Sequence, residues 1–166
     1  FRRVLFRSDF FGMLDGVEVV ELDHGIQFQG VQTRPLGLQV NGGIGFSDTH
    51  PFLAHFRALA EATVATGATP KFTIPAPTVF DFRLEPAGIT TDLYADRDAL
   101  VPDLVQAYRD AVQAFYDAGC RYLQFDDTAW AYLCSPDELE KAAARGIRTE
   151  GIGERYSAMQ IGRAHV

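Results

Sequence analysis

The segment from residue 108 to 133, YRDAVQAFYDAGCRYLQFDDTAWAYL, constrains the fold of this chain more than any other. Its first half has apolar residues at helical spacing, with the charged residues mostly on other faces. Gly119 can adopt the left-handed conformation that ends a helix, and residues 122–125 are rich in β-forming side chains and too few for a helix. The sequence therefore predicts a helix, a tight turn and a short buried strand, which is the repeating unit of an α/β fold.

Two adjacent carboxylates, Asp126 and Asp127, follow the predicted strand without a spacer. In parallel α/β architectures ligands bind beyond the carboxyl ends of strands, because the loops there converge and the next helix begins. We therefore predict a ligand site at this point. The alternative is that the acids only cap the next turn or helix, and for Asp127, which precedes Thr128, capping is the favoured interpretation.

Composition is that of a soluble globular protein, with 47% hydrophobic and 22% charged residues. No run of about 18 apolar residues occurs, so we expect no membrane span. The formal net charge of −7 argues against a nucleic-acid partner, which would require a basic face. The two cysteines lack CxxC spacing and fit a reducing, cytoplasmic setting.

The sequences at the two ends of the chain indicate that these residues are not native. FRRVLFRS at residues 1–8 and IGRAHV at residues 161–166 can both be spelled, codon by codon, by the constant adapter used in short-read DNA sequencing. We therefore expect one incomplete domain at residues 9–160, flanked by translated adapter. Residues 1–3 could instead be native.

Other local patterns predict the remaining elements. Residues 17–46 alternate as two or three strands in a meander, and residues 41–45 read as a turn. Asp48 or Thr49 is expected to cap a helix starting near Pro51. We predict a strand at residues 70–74, irregular structure at residues 80–99, and a last helix after Ser135 and Pro136, which would serve as its cap and first residue.

Three segments together carry a family resemblance: LDGVEVVELDHGIQFQG at residues 14–30, KFTIPAP at residues 71–77 and AGCRYLQFDDTAWAYL at residues 118–133. They resemble cobalamin-independent methionine synthase, and above all the short stand-alone homologues of its catalytic C-terminal barrel. The likeness implies an α/β fold, a partial TIM (β/α)8 barrel with a β-meander excursion near the N-terminus. A complete barrel takes about 250 residues, so this chain would be about half of one and would expose an unpaired sheet edge.

The resemblance also implies a function. The complete protein would be a zinc-dependent methyltransferase of methionine biosynthesis, which passes a methyl group from a methyl-folate or a simpler donor to the thiol of homocysteine. The family's zinc ligands lie on later strands, beyond Gln160. We therefore expect no metal ligand and no catalytic residue within this chain, and no activity from it alone.

Substrate-binding positions carry over from the resemblance one by one. The family motif Gln-Ile-Asp-Glu stands here as Gln124-Phe125-Asp126-Asp127, and the aspartate that matches Asp126 binds the amino group of homocysteine. The second acid is shorter by one methylene in this chain. A carboxylate suits a ligand ammonium because their hydrogen bond is charge-assisted.

Five further positions follow from the same resemblance. Lys71 and Thr73 match a strand that lines the folate side of the site, although Lys71 could equally be a solvated strand start. Arg34 falls where the family contacts the glutamate tail of the folate, although an exposed hairpin arginine is the favoured interpretation. Trp130 and Phe82 could stack on a pterin, although core packing is the favoured interpretation for both.

Two other functions stay open at this point. A glycoside hydrolase on the same fold would need a second acid about 5 to 9.5 Å from Asp126, and its sequence neighbour Asp127 would point to the opposite face of a strand. A non-catalytic homologue could keep an amino-acid pocket without zinc. Turnover of an aryl glycoside would indicate the first, and absence of His-x-Cys downstream would indicate the second.

Overall fold

A computed structural model describes residues 6–22, 36–144 and 146–161 of the chain. Its helices and strands follow in the order α1 Phe6–Phe11, β1 Asp15–Glu21, β2 Leu36–Gly45, α2 Pro51–Thr63, β3 Phe72–Pro75, α3 Pro77–Arg83, β4 Leu84–Ile89, α4 Val101–Asp117, β5 Leu123–Asp126, α5 Ala129–Leu133, α6 Pro136–Ala144 and α7 Ile152–Ile161. None of the helices in these ranges is long and apolar enough to cross a membrane. Helix α1 runs across residue 9, where the sequence predicts the native chain to begin.

The strands form two small sheets. In the first, of order β1-β2-β4, β1 is antiparallel to β2 and β2 is parallel to β4. The second is the parallel pair β3 and β5, and parallel neighbours require a long crossover, here α3, β4 and α4. The fold is thus α/β, and the residues that the structure describes form no closed barrel.

Helix α4 and strand β5 confirm the central sequence pattern. The buried residues of α4 recur along one stripe, at Leu104, Tyr108, Ala111 and Phe115. The helix ends at Asp117, two residues before Gly119, whose φ of +96° is the left-handed conformation expected there. The amide of Cys120 donates to Phe115 O at 2.9 Å, so a Schellman-type closure delivers the chain into β5.

The first sheet corrects three predictions. Residues 41–45 are the second half of β2 rather than a turn, and they lie against Gly16, whose φ is +69°. A Cβ on Gly16 would approach Gly43 O to 2.5 Å, so glycine at this position permits the close approach of β1 to β2. Glycines that serve such an approach resemble turn residues in a sequence. The sheet is not a plain meander, because β4 joins it in parallel. Residues 80–99, predicted to be irregular, contain the end of α3 and all of β4.

The cap of α2 is His50 rather than Asp48 or Thr49. Its Nδ1 accepts the backbone N–H of Phe52 at 3.2 Å, so Nε2 carries the proton and donates to Phe10 O at 3.1 Å. His50 is 2% exposed. The ring therefore ties α1 to the start of α2, one residue beyond the predicted cap.

An aromatic core covers one face of the β3 and β5 pair. Phe72 of β3 lies 5.3 Å from the ring of Phe115 on α4 and 5.8 Å from that of Phe56 on α2, the second contact being edge-to-face. Edge-to-face pairs of this kind add to the free energy gained by burying the rings. The two helices thereby cover the face of the strand pair that carries Phe72.

Candidate functional site

The carboxyl ends of β3 and β5 lie side by side. Pro75 pairs with Asp126 in the register, and the amide of Ala76 donates to Asp126 O at 3.1 Å. Immediately afterwards Pro77 begins α3, in the helix position that tolerates proline best. The half-buried side chain of Asp126 therefore stands where the sequence predicts a ligand site, at the end of a parallel strand.

The two faces of this strand pair differ in character. Phe72 and Phe125 face the helices, the latter 6.0 Å from the ring of Tyr108. Because side chains alternate along a strand and the two strands run in register, Thr73, Gln124 and Asp126 share the opposite face. Gln124 is exposed. The predicted site residues Thr73 and Asp126 thus lie on one polar face.

The end of β3 is held by the hydroxyl group of Tyr108. This buried side chain of α4 donates to Pro75 O at 2.5 Å. A buried carbonyl without a partner would cost about 1–3 kcal/mol, so the contact both stabilises the strand end and fixes it. Since Pro75 pairs with Asp126, the position of the carboxylate depends on the helix behind it.

Asp127 has a capping role, as interpreted from the sequence. Its Oδ1 accepts the amide of Ala129 at 3.2 Å at the start of α5. Its Oδ2 accepts a hydrogen bond from the side-chain amide of Gln160 on α7. The carboxylate is therefore engaged on both oxygens, and it links β5 to a helix that follows much later in the chain.

Trp130 and Phe82 differ in accessibility. Trp130 is 37% exposed and packs edge-to-face on Tyr156 at 6.3 Å. Phe82 is 5% exposed and stacks on Tyr132 at 5.0 Å. Part of the Trp130 surface is therefore available to a ligand, whereas core packing accounts for Phe82.

Lys71 lies away from Asp126. It precedes β3 at the amino end of the strand pair, where its exposed Nζ lies 5.2 Å from the centre of the Tyr122 ring. Pro75 lies four residues further along the chain, which in a strand corresponds to about 13 Å. The structure does not bring Lys71 to the carboxyl edge, and Arg34 lies outside the described residues.

A buried charge cluster was missed by the sequence patterns. Asp81 of α3 is 0% exposed and accepts hydrogen bonds from the hydroxyl of Tyr156 at 2.8 Å and from Nη2 of Arg155 at 3.2 Å. Nη1 of Arg97 lies 3.6 Å from the other carboxylate oxygen. Burial, and then the charge of Asp81, raise the pKa of Tyr156. The only sequence signal is an acid between Phe80 and Phe82, inside an apolar run.

Within residues 6–22, 36–144 and 146–161, no three histidine, cysteine, aspartate or glutamate side chains converge as a metal site would require. Zinc is bound by four ligands in structural sites and by three protein ligands in catalytic ones. The described part of the chain therefore offers no zinc-binding set. Zinc remains an expectation that rests on the family resemblance.

Two proteins of Bacillus subtilis are similar in sequence to most of this chain. The chain is 42% identical to YxjG of Bacillus subtilis over 158 residues and 40% identical to YxjH over 148 residues, both uncharacterized proteins. These matches cover 95% and 88% of the chain, but only 40% and 37% of the relatives. No family model matches the sequence. The chain thus spans about two fifths of the length of these relatives.

One solved structure is similar over most of the chain. It is the crystal structure of a Listeria monocytogenes protein described provisionally as a vitamin-B12-independent methionine synthase. The TM-score is 0.68 and the sequence identity 36%, over 93% of this chain and 40% of the Listeria chain.

Proposed function

We propose that this chain is part of a homocysteine S-methyltransferase of the cobalamin-independent methionine synthase type. The observation that carries the proposal is the carboxylate of Asp126, at the end of a parallel strand and on a polar face. The similarity to the Listeria protein, at 36% identity over 93% of the chain, supports the type of enzyme, and the assignment of that strand end to an amino-acid substrate rests on the family resemblance.

Asp126 would bind the ammonium group of homocysteine. A half-buried carboxylate forms a stronger hydrogen bond to a cation than an exposed one, because less water screens the pair. The hydroxyl of Tyr108 and the pairing with Pro75 keep the strand end in place. Thr73 lines the same face, and Trp130 on α5 presents part of its ring, on which a flat methyl donor could stack.

In the proposed reaction the thiolate sulfur of homocysteine attacks the donor's methyl carbon, and the bond from that carbon to the donor breaks. The resemblance implies zinc to activate the thiol and a methyl-folate as donor. Because the described residues supply no zinc-binding set, no role of this chain is assigned to the metal. The part assigned to these residues is to bind and orient the amino acid.

The test uses the longest native open reading frame that contains this chain. Methionine formed from homocysteine and a methyl-folate is measured by mass spectrometry for the native protein, Asp126→Asn and the control Asp110→Asn. Asp110 is an exposed acid on α4, so its change removes an equal charge elsewhere. We expect Asp126→Asn to raise the KM for homocysteine about tenfold to a hundredfold, the equivalent of about 1.5–3 kcal/mol for one charged hydrogen bond.

Three outcomes would contradict the proposal. Equal KM values for Asp126→Asn and Asp110→Asn would remove Asp126 from the site. Homocysteine binding without methylation would indicate a non-catalytic amino-acid-binding homologue. Turnover of an aryl glycoside would indicate a hydrolase.

A further inference from the structure

A second cleft lies apart from the strand ends, between the loop that follows β4 and the turn that precedes α7. Its volume is about 460 Å³, which is in the range of small-molecule sites. Its charged lining consists of Arg97, Arg148, Arg155, Asp96 and Asp98. Behind this lining, the buried carboxylate of Asp81 contacts two of the three guanidinium groups, those of Arg97 and Arg155.

Two of these charged groups are committed to the fold. The guanidinium of Arg97 turns inward and donates to Asp81 O at 2.8 Å, Leu84 O at 2.5 Å and Glu85 O at 3.1 Å. Asp96 accepts the amide of Ala99 at 2.9 Å. The recognition chemistry of the cleft is therefore left to Arg148, Arg155 and Asp98.

Asp98 shows what these two arginines can hold. One of its oxygens lies 3.0 Å from Nη2 of Arg148, and the other lies 3.2 Å from Nη1 of Arg155. One carboxylate thus bridges two guanidinium groups, an arrangement that suits carboxylate and phosphate ligands alike. In addition, Nε of Arg155 is buried and has no hydrogen-bond partner among the described residues.

The bridge is also weak enough to be displaced. The side chains of Asp98 and Arg148 are 47% and 64% exposed. Ion pairs at such exposure contribute only about 0–1 kcal/mol, because water and salt screen them. A dissolved oxyanion can therefore exchange with the carboxylate of Asp98 at little cost.

We propose that this cleft binds a small-molecule oxyanion, a carboxylate or a phosphate, between Arg148 and Arg155. Asp98 occupies the site when the ligand is absent and is displaced when it binds. Arg155 is the fixed ligand, because its other contact is the buried Asp81, and Arg148 is the exposed one that closes on the anion. The site shares no residue with the strand ends and is independent of the methyltransferase proposal.

The experiment titrates the whole chain separately with inorganic phosphate and with succinate, at constant ionic strength. Arginine Nε–H signals in NMR spectra report binding, and the anion that saturates identifies the ligand class. We expect saturation at millimolar concentration or below, a loss of affinity of about tenfold or more in Arg148→Gln, and a gain of up to about fivefold in Asp98→Asn. Arg57→Gln, which changes an exposed arginine on α2, should leave the affinity unchanged.

The opposite directions of the two variants keep the test decisive. Unfolding could imitate the loss in Arg148→Gln, but it cannot produce tighter binding in Asp98→Asn. Unsaturable shifts with both anions, an unchanged affinity in Asp98→Asn, or an equal loss in Arg57→Gln would each overturn the proposal.

Discussion

Replacing Asp81 by asparagine should destabilise the fold strongly, because it removes the charge at the centre of the buried cluster. The side chain is 0% exposed, and the two arginines that contact it, Arg97 and Arg155, have side chains only 13% exposed. Asparagine keeps the volume and can still accept the hydroxyl of Tyr156. The change therefore isolates the effect of leaving two guanidinium groups in the interior without their anion.

The size of the effect follows from what each partner retains. Loss of one member of a buried ion pair costs about 3–5 kcal/mol. Arg97 keeps its hydrogen bonds to backbone carbonyls, and Arg155 keeps Asp98, which is 47% exposed. We therefore expect the lower end, about 3 kcal/mol, which at a urea dependence of about 2 kcal/mol per molar lowers the midpoint by about 1.5 M.

Urea unfolding followed by circular dichroism measures this directly. Asp110→Asn is the matched control, since Asp110 is exposed and accepts only a surface hydrogen bond from Gln106, and it should change stability by less than about 0.5 kcal/mol. Tyr156→Phe combined with Asp81→Asn should cost less than the sum of the single changes, because the hydrogen bond that Tyr156→Phe removes is weaker once its acceptor is a neutral amide. A loss below about 1 kcal/mol in Asp81→Asn would refute the reasoning.

Two further predictions concern protonation and thiol reactivity. Burial lowers the pKa of His50 in the fold, so as pH falls below about 6.5 the unfolded chain takes up a proton that the folded one resists, and stability should decrease. Urea midpoints at pH 7.5 and 5.5 should differ more for the native protein than for His50→Asn, and equal differences would contradict this. Burial also raises the pKa of the Cys120 thiol, whereas Cys134 is exposed. Ellman's reagent should therefore label one thiol rapidly in the folded chain and the second only in urea, and two rapid equivalents would be inconsistent with the structure.

The sequence predicted best where the physics is local. The helix expected to end at Gly119 is Val101–Asp117, and the strand expected at residues 122–125 is Leu123–Asp126. Both follow from side-chain periodicity and from one glycine, which act over a few residues. The position of Asp126 at a strand end was predictable for the same reason.

The charge cluster and the arginine cleft could not be read in this way. Asp81 meets Arg155 and Tyr156, which lie 74 and 75 residues away, and no local pattern pairs them. Helix α7 was missed because its buried residues do not form one clear apolar stripe. The register of β3 and β5, which places Lys71 far from Asp126, is set by tertiary packing and not by local sequence. Sequence reasoning therefore located one acid of functional interest and overlooked the network that orders its surroundings.

The late position of helix α7 in the chain also determines when its contacts with Asp81 and Asp127 can form during synthesis. Its contacts close loops of 75 residues to Asp81 and 33 residues to Asp127. Ribosomes release β3, α4 and β5 first, and long-range contacts of this kind form late because the entropy of loop closure must be overcome before they stabilise anything. A nascent chain that has not yet reached residue 152 would hold its acidic strand end without Gln160, and that end would reach its final geometry only when the helix docks.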